Sequence, residues 1–151
     1  LYSGNNTKYI IMEYENGHSF DKEKDLSLYE KLITLRALAR TVGKYHNIGW
    51  LHLDLKPENF MVIPETKELV KLFDFDSIVS MDELKEGKIK SLSYSNGWAA
   101  PEVKQGKLRK IGPASDIYSI GAILFYMLFG EKPSIESKLE CINKIKTQNK
   151  H

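Results

Sequence analysis

Apolar side chains recur along the chain with two different periods, and the changes of period mark its elements. Leu28, Leu32, Leu35, Ala39, Val42 and His46 fall three or four residues apart, the stripe of an amphipathic helix. Ser27-Leu28-Tyr29-Glu30 opens that helix as a capping box, in which hydroxyl and carboxylate each satisfy a backbone N–H the helix cannot. The spacing predicts an end near Asn47, with Gly49 placed to take a left-handed closing conformation. Pro113 to Phe129 is a second helix, apolar nearly all round and therefore buried, with Ser115 as its expected N-cap. Ile135, Leu139, Ile142 and Ile145 mark the stripe of a last helix.

The other period is short. Tyr9 to Tyr14 is a β-rich run after the turn signal Gly4-Asn5-Asn6, so a hairpin with Tyr9–Tyr14 as its second strand is expected, ended by Glu15-Asn16-Gly17. Phe60 to Ile63 and Val70 to Phe73 read as two further strands joined by a turn at Pro64-Glu65-Thr66-Lys67. From Ser77 to Trp98 no period is visible; an irregular run of that length in a compact domain is usually functional.

Composition narrows the class. With 151 residues, 42% of them apolar and 28% charged, the chain can bury one domain core and is not of the disordered kind. A net charge of +2 argues against nucleic acid or an anionic membrane as partner. The run from Ile117 to Phe129 is too short to span a bilayer. The single cysteine, Cys141, excludes an internal disulfide, reads as a small buried helix residue, and fits a reducing, cytoplasmic compartment. No signal peptide is visible, and Leu1 need not be the natural start.

The candidate chemistry lies in His52-Leu53-Asp54-Leu55-Lys56-Pro57-Glu58-Asn59, a polar stretch between two apolar ones. Its spacing can bring three groups to one phosphate: Asp54 to take a proton, Lys56 to meet negative charge, and Asn59 to hold a metal. Pro57 bars a regular helix and stiffens the middle.

This stretch resembles the catalytic loop of eukaryotic-type protein kinases. Four further segments resemble that family in its order. Tyr9 to Tyr14 is similar to the hinge strand and Asp74-Phe75-Asp76 to the metal-binding triplet. Ala100-Pro101-Glu102 is similar to the end of the activation segment, and Asp116 to Gly121 to the start of the central buried helix. The Lys56-Pro57-Glu58-Asn59 run is similar to the Ser/Thr-specific branch. The resemblance implies an α+β, predominantly helical fold: a kinase-like C-terminal lobe with small β-hairpins and most of the N-terminal lobe absent. Residues 1–18 would be the last strands of that lobe and the hinge. Residues 19–151 would be the C-terminal lobe, cut after the helix that follows the central one.

By the same resemblance, Asp54 orients the substrate hydroxyl and accepts its proton, and Lys56 neutralises the transferred phosphoryl of ATP. Asn59 and Asp74 each hold Mg²⁺. The backbone of Glu13 and Glu15 bonds adenine, Met12 lies at the back of that pocket, and Ser19 falls near the ribose. Ser95 contacts Asp54 and Lys56. His52 supports the loop against Phe75, and Asp116 accepts backbone N–H groups of the loop. The expected partners are ATP and a protein bearing Ser or Thr. His18 and His46 are expected to have no catalytic role, while Lys85, Lys88 and Lys90 read as a solvated face able to attract an acidic substrate or a phosphate.

Three departures temper the resemblance. Leu53 stands where regulated kinases carry an Arg that pairs with a phosphorylated residue, so switching through Ser91, Ser93 or Tyr94 is not expected by that route. Asp76 replaces the triplet's Gly; Asp tolerates a left-handed conformation, and small-molecule kinases of the aminoglycoside and choline type often carry an acid there. No glycine-rich loop, Val-Ala-x-Lys strand or partner Glu is present, and the Arg partner expected for Glu102 would lie beyond His151. The isolated chain is therefore expected to be an inefficient kinase. A pseudokinase scaffold and a small-molecule kinase are the rival readings.

Overall fold

The computed structural model describes residues 2–4, 7–9, 14, 16–20, 26–63 and 70–134. In chain order they form β1 (Tyr2–Gly4), β2 (Thr7–Tyr9), β3 (His18–Ser19), α1 (Leu28–Asn47), β4 (Trp50–Leu51), β5 (Phe60–Val62), β6 (Val70–Leu72), β7 (Val79–Ser80), α2 (Met81–Lys85), α3 (Pro101–Lys104) and α4 (Pro113–Phe129). Single 3-10 turns lie at Pro57–Asn59 and Leu108–Lys110. The strands make three antiparallel sheets: the β1–β2 hairpin, β3–β5–β6, and the two-residue ladder β4–β7. The expected α+β character and the hairpin about Gly4-Asn5-Asn6 are present. The second strand of the hairpin, though, is entered at Thr7, with Tyr9 opposite Tyr2. Residues 10–13, the turn after Ile63, the last helical stripe and Cys141 lie outside the described residues.

Helix α1 begins as its capping box dictates. Ser27 Oγ accepts the Glu30 N–H at 3.3 Å, and the Glu30 carboxylate accepts the Ser27 N–H at 2.8 Å. It ends at Asn47, and Gly49 takes φ +86°. The buried face differs from the expected stripe. Thr34, Leu35, Leu38 and Val42 are buried, whereas Leu28 and Leu32 are 58% and 49% exposed. Several overlapping stripes fit a 3.6-residue period, and the choice among them is made by where α4, β4 and β6 contact α1.

Helix α4 has the expected bounds, but Gly112 is its N-cap, not Ser115. Pro113 lacks an N–H and holds a helical φ, so it takes the first helical position and the N-cap falls three residues before Ser115. Ser115 sits in the first turn. Its Oγ accepts the Gly112 N–H at 3.3 Å and donates to Glu102 Oε1 at 2.7 Å. The segment from Ser77 to Trp98 is only partly irregular. It contains β7 and α2, the latter capped by Ser80, whose hydroxyl accepts the Asp82 N–H. A two-residue ladder and a five-residue helix are too short to register as periodicity.

Two apolar clusters result. The first joins Leu35, Leu38 and Val42 of α1, Ile123 and Met127 of α4, Phe60, Val70 and Leu72 of the sheet, and Leu55 and Trp98. The second joins Leu51, Leu53, Val79, Leu84, Ala99, Ala100 and Val103. The loop from His52 to Asn59 runs between them, with Leu53 seated in one and Leu55 in the other. A polar loop pinned on both sides by buried leucines is a rigid platform for reactive side chains.

Candidate active site

Asp116, on the first turn of α4, anchors the loop. Fully buried, its carboxylate accepts the N–H of His52 at 2.9 Å, the N–H of Leu53 at 2.8 Å and a hydrogen bond with His46 Nε2 at 2.8 Å. A buried carboxylate needs such partners, because its desolvation is otherwise uncompensated. The anchor also holds an unfavourable backbone: Leu53 is 2% exposed and left-handed, at φ +62°. That conformation costs a non-glycine residue about 1–2 kcal/mol. Asp116 thus ties the loop to α4 through two backbone N–H groups. His46 joins it, a role hidden in the sequence because nothing local relates a residue at the end of α1 to one on α4.

The reactive side chains converge around Asp54, itself 8% exposed. Lys56 Nζ donates to Asp54 Oδ2 and to Ser95 Oγ, each at 2.9 Å. Asn59 Nδ2 donates to the Asp54 carbonyl at 2.9 Å and reaches Asp54 Oδ2 at 3.4 Å. Asp54 Oδ1 is buried and makes no hydrogen bond among the described residues. One carboxylate oxygen is therefore engaged, and the other keeps its acceptor capacity unused. Ser95, far along the chain, is brought to this point because Trp98 and Ala99 lie in the two clusters and fix the segment behind it.

Asp74 reaches the same neighbourhood by pairing. The Phe73 N–H donates to the Asn59 carbonyl at 3.0 Å, so the chain leaves β6 beside Asn59, and Asp74 follows at φ +60° with an exposed side chain. The left-handed residue of the triplet is thus Asp74, not Asp76, and the acid in place of glycine at Asp76 carries no left-handed strain. Phe75 packs against Tyr45 (5.6 Å between centroids) and His52 (5.8 Å). Burial pushes the His52 imidazole below its ordinary 6.5, against the opposing pull of Asp116, Asp54 and Asp74. The Phe73 carbonyl lies toward the ring without forming a well-directed hydrogen bond.

Asn59 and Asp74 fit a hard cation. With the amide nitrogen of Asn59 committed to Asp54, its oxygen is the atom left to ligate, and Asp74, exposed, follows the residue whose N–H bonds the Asn59 carbonyl. Two protein oxygens completed by water and phosphate suit Mg²⁺. Among the described residues no three His, Cys, Asp or Glu gather into a metal cage. Ser19, half-buried on β3, pairs with Met61, two residues after Asn59, so the sheet carries it toward the loop. Pro101 and Glu102 open α3 behind Ala100, with Glu102 held by Ser115. Met12, Glu13 and Glu15 lie outside the described residues.

The structure thus sets an anchored Asp-x-Lys-x-x-Asn loop next to the end of β6, from which an Asp-Phe pair follows. The sequence profile of the protein kinase domain matches residues 1–151. The chain belongs to the protein kinase domain family. Calcium-dependent protein kinase 27 of Arabidopsis thaliana is 33% identical over 97% of this chain and 31% of its own length. CBL-interacting protein kinase 21 of Oryza sativa subsp. japonica is 36% identical over 87% of this chain and 26% of its own length. The chain therefore spans about a third or less of these curated relatives. No described helix is long and apolar enough to cross a membrane.

Proposed function

We propose that the chain is the hinge and C-terminal lobe of a Ser/Thr protein kinase, and that the complete protein transfers the γ-phosphoryl of ATP to a Ser or Thr hydroxyl of a protein. The observation that supports this most is the asymmetry of Asp54: Oδ2 is held by Lys56 and Asn59, while the buried Oδ1 has no hydrogen-bond partner among the described residues. A substrate hydroxyl donating to Oδ1 would be oriented for attack and would lose its proton to Asp54 as its oxygen bonds to phosphorus and the bond to ADP breaks. Lys56, shared between Asp54 and Ser95, carries the positive charge that offsets the phosphoryl oxygens. Asn59 and Asp74 would hold Mg²⁺, which would supply positive charge to offset that of the phosphates. Ser19 is assigned to the ribose, and the backbone of Glu13 and Glu15, with Met12, to adenine. A buried carboxylate oxygen left without a donor is costly unless a ligand supplies one, which supports the enzyme reading over a pseudokinase.

The test is phosphate incorporation into a Ser-containing peptide by the full-length protein and its Asp54→Asn variant. Loss of general-base catalysis is expected to slow transfer by about 10²–10⁴-fold with the fold intact by circular dichroism. Equal rates from the two proteins would refute the assignment.

A further inference from the structure

The charge of this chain is not evenly distributed. Between Lys88 and Lys110 there are six cations (Lys88, Lys90, Lys104, Lys107, Arg109 and Lys110) against one acid, Glu102, although the whole chain carries only +2. The rest of the chain is thus net acidic. Glu102 is occupied by Ser115, and Lys88 by Glu86 at 2.6 Å. Lys90, Lys104, Lys107, Arg109 and Lys110 make no ion pair among the described residues.

Packing turns this run into a surface. Ile89, Leu92, Val103 and Leu108 all join the second apolar cluster, which draws the segment after α2 against α3 and the turn that follows it. Between the two lies an open groove of about 250 Å³, with Ser91, Leu92 and Tyr94 on one wall, Val103 and Leu108 on the other, and Lys90 and Lys104 on its rim. One wall of the groove ends at Tyr94, the residue before Ser95, which accepts a hydrogen bond from Lys56, so the groove lies close to the active site. An extended peptide advances about 3.3 Å per residue, so a peptide whose hydroxyl meets Asp54 would lay its next few residues over this groove.

We propose that the groove binds acidic side chains of the protein substrate, a few residues from the phosphorylated hydroxyl, and that Lys90 and Lys104 set this preference. The inference rests on the kinase reading above. Apolar walls receive the stems of the peptide, and two unpaired ammonium groups at the rim complement its carboxylates. A basic surface with a floor of this kind fits a peptide strand better than a duplex or a bilayer, which would need the cations spread over a larger convex face.

The test uses the full-length protein with three Ser peptides that differ only in flanking residues: Asp/Glu, Ala, or Lys. Binding is read by fluorescence anisotropy and transfer by phosphate incorporation. The acidic peptide is expected to bind tightest and to be phosphorylated with the highest kcat/KM. Lys90→Glu/Lys104→Glu should remove that advantage by roughly tenfold or more while leaving the Ala peptide unchanged. Transfer without charge preference, or a preference indifferent to the reversal, overturns the proposal and leaves the kinase reading standing. Selective binding without any transfer upholds the groove and overturns the kinase reading. Tighter binding of duplex RNA or of anionic vesicles than of the acidic peptide at equal salt also overturns it.

Discussion

Replacing Asp116 by Ala should loosen the active-site loop selectively, and the size of the effect follows from the structure. The substitution leaves the N–H groups of His52 and Leu53 buried without an acceptor. Each such loss costs roughly 1–3 kcal/mol. Leu53 is also held at φ +62°, and without its anchor only its apolar packing opposes a return to an ordinary conformation. A loss of about 4 kcal/mol is expected, near that for removing one partner of a buried charged pair. At about 1.4 kcal/mol per tenfold, the opening constant of the loop rises close to a thousandfold. Hydrogen exchange of the full-length protein reads this directly, as faster exchange at His52 and Leu53 with the middle of α1 protected as before. Asp116→Asn keeps one acceptor oxygen but turns an N–H₂ toward the other donor, so it should fall between wild type and Ala. Acceleration below tenfold in the Ala variant would refute the view that Asp116 holds the loop.

Three further outcomes follow from the same geometry. His52 has a folded-state pKa below 6.5, so between that lowered value and 6.5 the unfolded chain binds more protons; stability should fall as pH drops below 6.5, as read by urea midpoints, and His52→Phe should flatten that slope. Ser115→Ala removes the hydrogen bond to Glu102 and the Gly112 N–H acceptor and should cost about 1.5–3 kcal/mol in denaturant unfolding. Because Leu53 is locked in an apolar cluster where it offers no cation to a phosphate, replacing Ser91, Ser93 and Tyr94 together by Ala should leave the kcat of the full-length protein largely intact, any effect through the groove falling on KM; a large loss of kcat would show that the segment is switched by phosphorylation after all.

Much of the fold was legible because its causes are local. The capping box at Ser27 and Glu30, the end of α1 at Asn47 and the bounds of α4 follow from side chains within one turn of the feature they decide. The loop was legible too, since Asp54, Lys56 and Asn59 are neighbours in the chain. The errors arose where local rules compete. Ser115 is a sound N-cap in isolation, but Pro113 starts the helix first, and its hydroxyl is used at Gly112 and Glu102 instead.

By itself the sequence determined which residues could do chemistry and in what order they occur. The tertiary structure decided what each is worth. Whether Leu28 or Leu38 faces inward depends on where α4 and β6 pack, and helical period alone does not choose. Asp116 and His46 become the loop's anchor only when α1 and α4 lie side by side. Asp74, rather than Asp76, takes the left-handed backbone because β6 ends at the Asn59 carbonyl. The lysines flanking the groove, scattered along the chain, become one basic surface because two apolar segments share a cluster. In each case the deciding interaction joins residues distant in sequence, and its energy exists only once the chain has brought them into contact.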